Sequence, residues 1–97
     1  MSFEVDTSEV RKAAKEVKKI AENVKALSSE NVKRMQNSVS ENLEGETANA
    51  ITEVLGDLST DIRRISTALQ DVREALLDYA ERVEEADRKA KREIEMN

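Results

Sequence analysis

The sequence predicts an all-α protein: an antiparallel two-helix hairpin that dimerises into a four-helix bundle. Three observations carry this. The apolar positions of the second half are Ala48, Ile51, Leu55, Leu58, Ile62, Ile65, Leu69, Val72, Leu76, Tyr79, Val83, Ala86 and Ala90, in alternating steps of three and four. A mean step of roughly 3.5 residues keeps one stripe of a helix against a partner helix, whereas strands need a period near two. There is no proline, and Gly45 and Gly56 are the only glycines, so the chain has few places to break. Finally, 97 residues suffice for one domain, but Phe3 and Tyr79 are the only aromatics. That is too few large side chains for a thick core and enough for a thin helical layer.

The elements follow in order. Residues 1–5 read as a lead-in. Asp6 is the expected N-cap, with Glu9 placed to reach back to the Asp6 amide and Val5 and Val10 placed as a hydrophobic staple. Thr7 is the alternative cap. The first helix is expected over about 7–42, with Val10, Ala13, Ala14, Val17, Ile20, Ala21, Val24, Leu27, Val32, Met35 and Val39 as its apolar face. The step from Val24 to Met35 departs from the seven-residue repeat and shifts the stripe locally. The Ser28-Ser29 pair inside that step reads as a weak point in a continuous helix, with a true break as the alternative.

The turn is expected over about 43–46, because Gly45 can take a positive φ at low cost. The second helix is expected over about 47–93, with Glu46 and Thr47 suited to its positive end. The two form a single domain over 1–97. A short connection folds long helices back on each other. A turn centred near residue 44 sets Val10 across from about Asp78 and leaves Arg82 to Asn97 without an intramolecular partner. Charge agrees modestly: residues 1–42 carry eight basic and seven acidic side chains, and residues 43–97 carry eight and fourteen.

Composition also excludes function classes. Histidine and cysteine are absent, which removes the commonest general base, nucleophile pairings and transition-metal ligands together. There is no glycine-rich phosphate loop. Carboxylate pairs such as Glu84-Glu85 read as solvated charge on an acidic helix. No enzymatic activity, cofactor or metal is therefore expected. A net charge of −5 argues against sequence-independent nucleic-acid binding. No apolar run approaches the length of a membrane span, so membrane insertion is not expected. The opening MSFEVDTSEV has neither a basic nor an apolar segment of the secretory type.

Beside its stripe the second helix carries Val54, Ala68, Ala75, Leu77, Ala80 and Ile94. A stripe wider than one partner covers calls for another. Ile51, Leu55, Leu58, Ile62, Ile65, Leu69, Val72 and Leu76 are the expected seam, within the hairpin and between hairpins.

The turn Leu43-Glu44-Gly45, the hundred-residue length and the segment ITEVLGDLSTDIRRISTALQDVREALLDYAERVEEAD resemble the WXG family of early-secreted-antigen-like proteins. The family's marks are a Trp-x-Gly turn and a C-terminal Tyr-x-x-x-Asp/Glu. Here the turn looks like the Leu-x-Gly variant, with Leu43 and Gly45 in the motif positions. At the C-terminal motif Val83 stands where the aromatic is expected and Asp87 where the acid is, with Tyr79 one turn earlier. The resemblance implies a partner or substrate of a Gram-positive or mycobacterial type VII secretion system. It implies export without a cleavable signal peptide, from the cytoplasm, as a homodimer or heterodimer. Implied partners are the chain itself, a related hairpin, the N-terminal helical domain of a larger Leu-x-Gly toxin, and the type VII export ATPase. Tyr79, Val83 and Asp87 are the implied export signal. The residues alone equally fit a cytosolic coiled-coil adaptor or chaperone.

Overall fold

A computed structural model describes residues 5–96, so most of the lead-in and Asn97 lie outside the described residues. The chain forms α1 (Thr7–Ala26), a π-helical segment (Leu27–Val32), α2 (Lys33–Asn42) and α3 (Gly45–Met96). The first three run on as one rod, and α3 folds back along it. The molecule measures 79 × 20 × 16 Å with a radius of gyration of 22.3 Å. A compact chain of this length would have about 13 Å. The long dimension is that of α3 itself, since 52 helical residues rise about 78 Å.

Asp6 is the N-cap: its Oδ1 accepts the Ser8 amide at 3.0 Å and the Ser8 hydroxyl at 2.6 Å. The expected return bond from Glu9 gives way to a local ion pair, Glu9 to Lys12 at 3.4 Å. Lys12 lies one turn ahead on the same face and takes the Glu9 carboxylate. Val5 and Val10 are both half-buried, as a staple requires.

Ser28-Ser29 sits in neither an ordinary helix nor a break. Leu27–Val32 is π-helical, which accommodates one extra residue in a turn without interrupting the rod. The inward positions advance by seven from Ala14 to Ala21 to Ser28, pass through buried Val32, and reach half-buried Gln36 eight residues after Ser28. Had that turn stayed α-helical, the residues beyond it would be rotated about 100° off the seam. The irregular step between Val24 and Met35 is the sequence trace of this insertion.

The rod ends at Asn42, whose side-chain amide donates to the Ser38 carbonyl at 2.8 Å, while the Leu43 amide donates to Val39 at 2.9 Å. Leu43 is extended, and Gly45 has φ +76°, the only positive φ among the described residues. The connection is Leu43-Glu44, and α3 starts two residues earlier and ends three later than the pattern predicts.

The α1–α3 seam places the core. Its fully buried members are small: Ala14, Ala21 and Ser28 on the first rod, Ala48, Ser66 and Ala80 on α3, with Val32 the largest. Ser66 Oγ donates across the seam to the Ala21 carbonyl at 2.8 Å, and the Ser28 and Ser59 hydroxyls pair. These contacts put the fold-back point between residues 43 and 44. Among the described residues no buried side-chain nitrogen or oxygen lacks a partner.

Candidate functional site

The seam and the apolar stripe of α3 turn out to be two different tracks. Half-buried or buried against the first rod are Thr52, Leu55, Ser59, Ile62, Ser66, Leu69, Arg73, Leu76, Ala80 and Val83. These alternate in steps of three and four, as the expected stripe does, and share Leu55, Ile62, Leu69, Leu76 and Val83 with it. Ile51, Leu58, Ile65, Val72 and Tyr79 of the stripe each stand one position before a seam residue, whereas Ala48 is buried and Ala86 and Ala90 lie exposed past the hairpin. Ile51 is half-buried, but Leu58, Ile65, Val72 and Tyr79 keep 43, 53, 48 and 47 % of their surface exposed. So Leu58, Ile65 and Val72 do not belong to the intramolecular seam, and Ala80, expected beside the stripe, lies at its centre with no exposed surface.

The reason is steric. Small residues recur at seven-residue spacings on both helices, interrupted in α3 by Arg73, and let the backbones approach closely, so that the seryl hydroxyls reach the facing helix. Once the helices meet on Ala14, Ala21 and Ser28 against Ser59, Ser66 and Ala80, the bulky residues one position earlier must turn sideways.

They turn to the same side. In the first rod Ile20, Leu27 and Met35 each precede a seam residue (Ala21, Ser28, Gln36) and are exposed. In α3 Leu58, Ile65, Val72 and Tyr79 each precede a seam residue in the same way. Antiparallel helices are related by a local two-fold normal to the plane they share, so equivalent positions emerge on one flank. The result is an open apolar face of seven large side chains along the hairpin. Full burial of one such side chain is worth about 1.5–3 kcal/mol, so covering the exposed halves of seven is worth about 5–10 kcal/mol. An apolar strip of this extent is the mark of an interaction surface.

The two motif regions lie at opposite ends of that face. Leu43, in the turn, is exposed, and a side chain at Gly45 would meet nothing within 4 Å. Gly45 is thus required by its backbone angle and not by space. At the other end Tyr79 is exposed on the open face, Val83 is half-buried in the seam and Asp87 is exposed beyond it. Tyr79 and Asp87 are thus exposed two turns apart, with Val83 between them turned into the seam. The hairpin is closed here by Arg11, whose guanidinium makes a two-point contact with Glu84 at 2.6 and 3.3 Å. That contact holds the Glu84 carboxyl below the usual carboxylate range, chiefly through its hydrogen bond from Arg11. The clamp keeps Val83 and Glu84 half-buried, so the unpartnered part of α3 starts at Glu85, three residues later than expected. Every residue from Glu85 to Met96 is exposed. Within it Glu85 accepts from Arg88 at 2.8 Å and from Arg92 at 3.3 Å, which lowers its pKa, Arg88 contributing most.

Pattern reading missed the seryl contacts of the seam. The signal was present: Thr52, Ser59, Ser66 and Ala80 recur at multiples of seven, as do Ala14, Ala21 and Ser28. Large apolar residues at the neighbouring positions masked it.

No helix is long and apolar enough to cross a membrane among the described residues. No curated protein and no solved structure matches the chain. The family model described as proteins of 100 residues with WXG matches it over residues 2–88. On that match the protein belongs to the WXG100 family, small non-enzymatic helical proteins of the type VII secretion kind, whose members generally form helical-hairpin dimers.

Proposed function

We propose that this hairpin is a type VII secretion substrate or escort that works as a dimer, its open face covered by a second hairpin. The observation that carries the reading is the face of Ile20, Leu27, Met35, Leu58, Ile65, Val72 and Tyr79, which the chain's own fold leaves uncovered. The partner is a helical hairpin, either the same chain, a related one or the N-terminal helical domain of a larger Leu-x-Gly toxin. Four helices then surround one apolar layer, and recognition rests on shape and seam.

In this reading the export ATPase engages α3 at its projecting end. Tyr79 closes the open face there, Val83 fixes the helix against the first rod, and Asp87 offers a free carboxylate just past the hairpin. Helix recognition by anchors spaced one turn apart is a common docking mode. The chain leaves the cell folded, by a route that does not depend on a cleaved signal.

The test is an immunoblot of lysate and culture supernatant from the native host, with and without the type VII ATPase. ATPase-dependent appearance in the medium is expected, and Asp87→Ala is expected to abolish it while helix content and oligomeric state stay unchanged. Export of Asp87→Ala at the normal level would remove the signal assignment. Retention of the parent protein in both strains would make the hairpin a cytosolic adaptor or chaperone.

A further inference from the structure

The flank turned away from the open face carries charge that the chain itself does not answer. Residues just before a seam position lie on the open flank, and residues just after one lie about 200° further around the helix, on the other flank. Lys15 follows Ala14 in this way, and with Arg11 and Lys18 it forms a ridge of the first rod at spacings of four and three. Arg73 and Leu77 of α3 face that ridge across the seam. With Ala14 on its floor, the groove between them is lined by four cations and no carboxylate.

Two features set this groove apart from ordinary surface charge. Every residue one turn from Lys15 is basic (Arg11, Lys12, Lys18, Lys19), in a chain whose net charge is −5. Like charges at that spacing oppose helix formation. The other feature is Arg73, half-buried at a seam position, with buried Ser66 and Ala80 seven residues to either side. One turn away from it are Leu69, Gln70, Leu76 and Leu77, so its own helix offers no acid. Glu84 engages Arg11 at the end of the groove. Among the described residues Lys15, Lys18 and Arg73 have no ion-pair partner.

We infer that this groove docks an acidic amphipathic helix of a partner protein, with its carboxylates on Lys15, Lys18 and Arg73 and an apolar side chain on Leu77 and Ala14. A furrow between two antiparallel helices is matched by a third helix laid along it. Basic side chains beside an apolar floor select acids at the flanks of the incoming helix. A free phosphate would leave the apolar floor unused. The ridge from Arg11 to Lys18 rises only about 10 Å, which is short for tracking a nucleic-acid backbone or lying on a membrane. From Met35 to Ile62 there are six acidic residues and no lysine or arginine, which repel either polyanion beyond the groove. No aromatic side chain lines the groove to stack a base. The groove is on the flank away from the open face, so it stays accessible whether or not that face is covered, and its occupant does not compete with a second hairpin.

The test is fluorescence anisotropy of the full chain with a labelled alanine-based peptide of about 15 residues, long enough to be helical, that carries glutamates at i, i+4 and i+7 and a leucine between them. Saturable binding that weakens as salt rises is expected. Lys15→Gln, Lys18→Gln and Arg73→Gln together are expected to weaken it about tenfold, since each exposed ion pair contributes little alone. Removing the same charge outside the groove, by Lys19→Gln, Lys33→Gln and Arg34→Gln, leaves the affinity at the parental level. Arg73 is half-buried, so circular dichroism checks the fold of the triple variant. Lys15 and Lys18 are exposed, and their double variant, with a smaller loss expected, carries the test if the triple variant unfolds. An equal loss in the outside variant would reduce binding to net charge and overturn the inference. So would absence of binding up to about 1 mM peptide. Tighter binding to phosphatidylglycerol vesicles through the same three residues, or full displacement of the peptide by an equal concentration of inorganic phosphate, would overturn it in favour of a membrane or a small anion.

Discussion

Two tracks run side by side along α3. One, through Ser59, Ser66 and Ala80, is small, buried and hydrogen-bonded to the first rod. The other, through Leu58, Ile65, Val72 and Tyr79, is large and half-exposed. The reverse would be expected of an isolated hairpin, where the largest side chains gain most from burial. Putting the small residues inside gives up apolar burial within the chain and reserves it for association. A tight internal seam sets the shape of the hairpin, and the wide outer face supplies its adhesion.

That division can be broken first at the seam. Ala21 has no exposed surface and its carbonyl accepts the Ser66 hydroxyl. Ala21→Leu is expected to destabilise the hairpin by about 2–3 kcal/mol through overpacking, read in a urea melt. Its neighbour on the open face, Ile20→Leu, should be nearly silent. If the two behaved alike, the distinction between the tracks would fail.

The outer face gives the next effect. Ile65→Asp should weaken association by about 2 kcal/mol, roughly thirtyfold, because a carboxylate is then buried at the centre of an apolar contact. Helicity of the separated hairpin should survive, since Ile65 is half-exposed before any partner arrives. Loss of helix content in this variant would mean that the face is part of the fold.

The two glycines sharpen the comparison in opposite directions. Gly45→Ala meets free space but must hold φ +76°, which costs about 1 kcal/mol. Gly56→Ala lies inside α3, where the added methyl would come no closer than 4.0 Å to a neighbouring residue, the flexible end of Gln36. It should raise stability by up to about 1 kcal/mol through helix propensity alone. Thermal unfolding of the pair separates backbone strain from packing.

The smallest effect is at the open end. The folded-state pKa of Glu84 is depressed by Arg11, so the clamp contributes fully above the ordinary carboxylate range and is lost as pH falls through the depressed value. Unfolding midpoints measured from neutral to acid pH should fall slightly less steeply in Glu84→Gln than in the parent. Both partners are partly exposed, so the difference is small and shrinks with salt.

Much of this was legible in the chain. The 3.5-residue repeat, the absence of proline and the placement of Gly45 dictated two long helices and the point where they part. The irregular step after Val24 marked the place of the π segment. It did not reveal its form, because a one-residue insertion can be absorbed as a loop, a break or a wide turn, and only the backbone bonds choose. Asp6 was legible as the cap, but that Glu9 pairs with Lys12 and does not reach back to the Asp6 amide depends on side-chain geometry.

By itself, then, the sequence determined the helices, their fold-back and an apolar stripe wider than one partner can cover. Which half of that stripe faces inward was decided by the tertiary structure. Periodicity measures where apolar residues recur; it does not weigh the closeness of approach that small residues permit. At Ala14, Ala21, Ser28, Ser59, Ser66 and Ala80 that closeness prevails, and the large side chains are left facing outward.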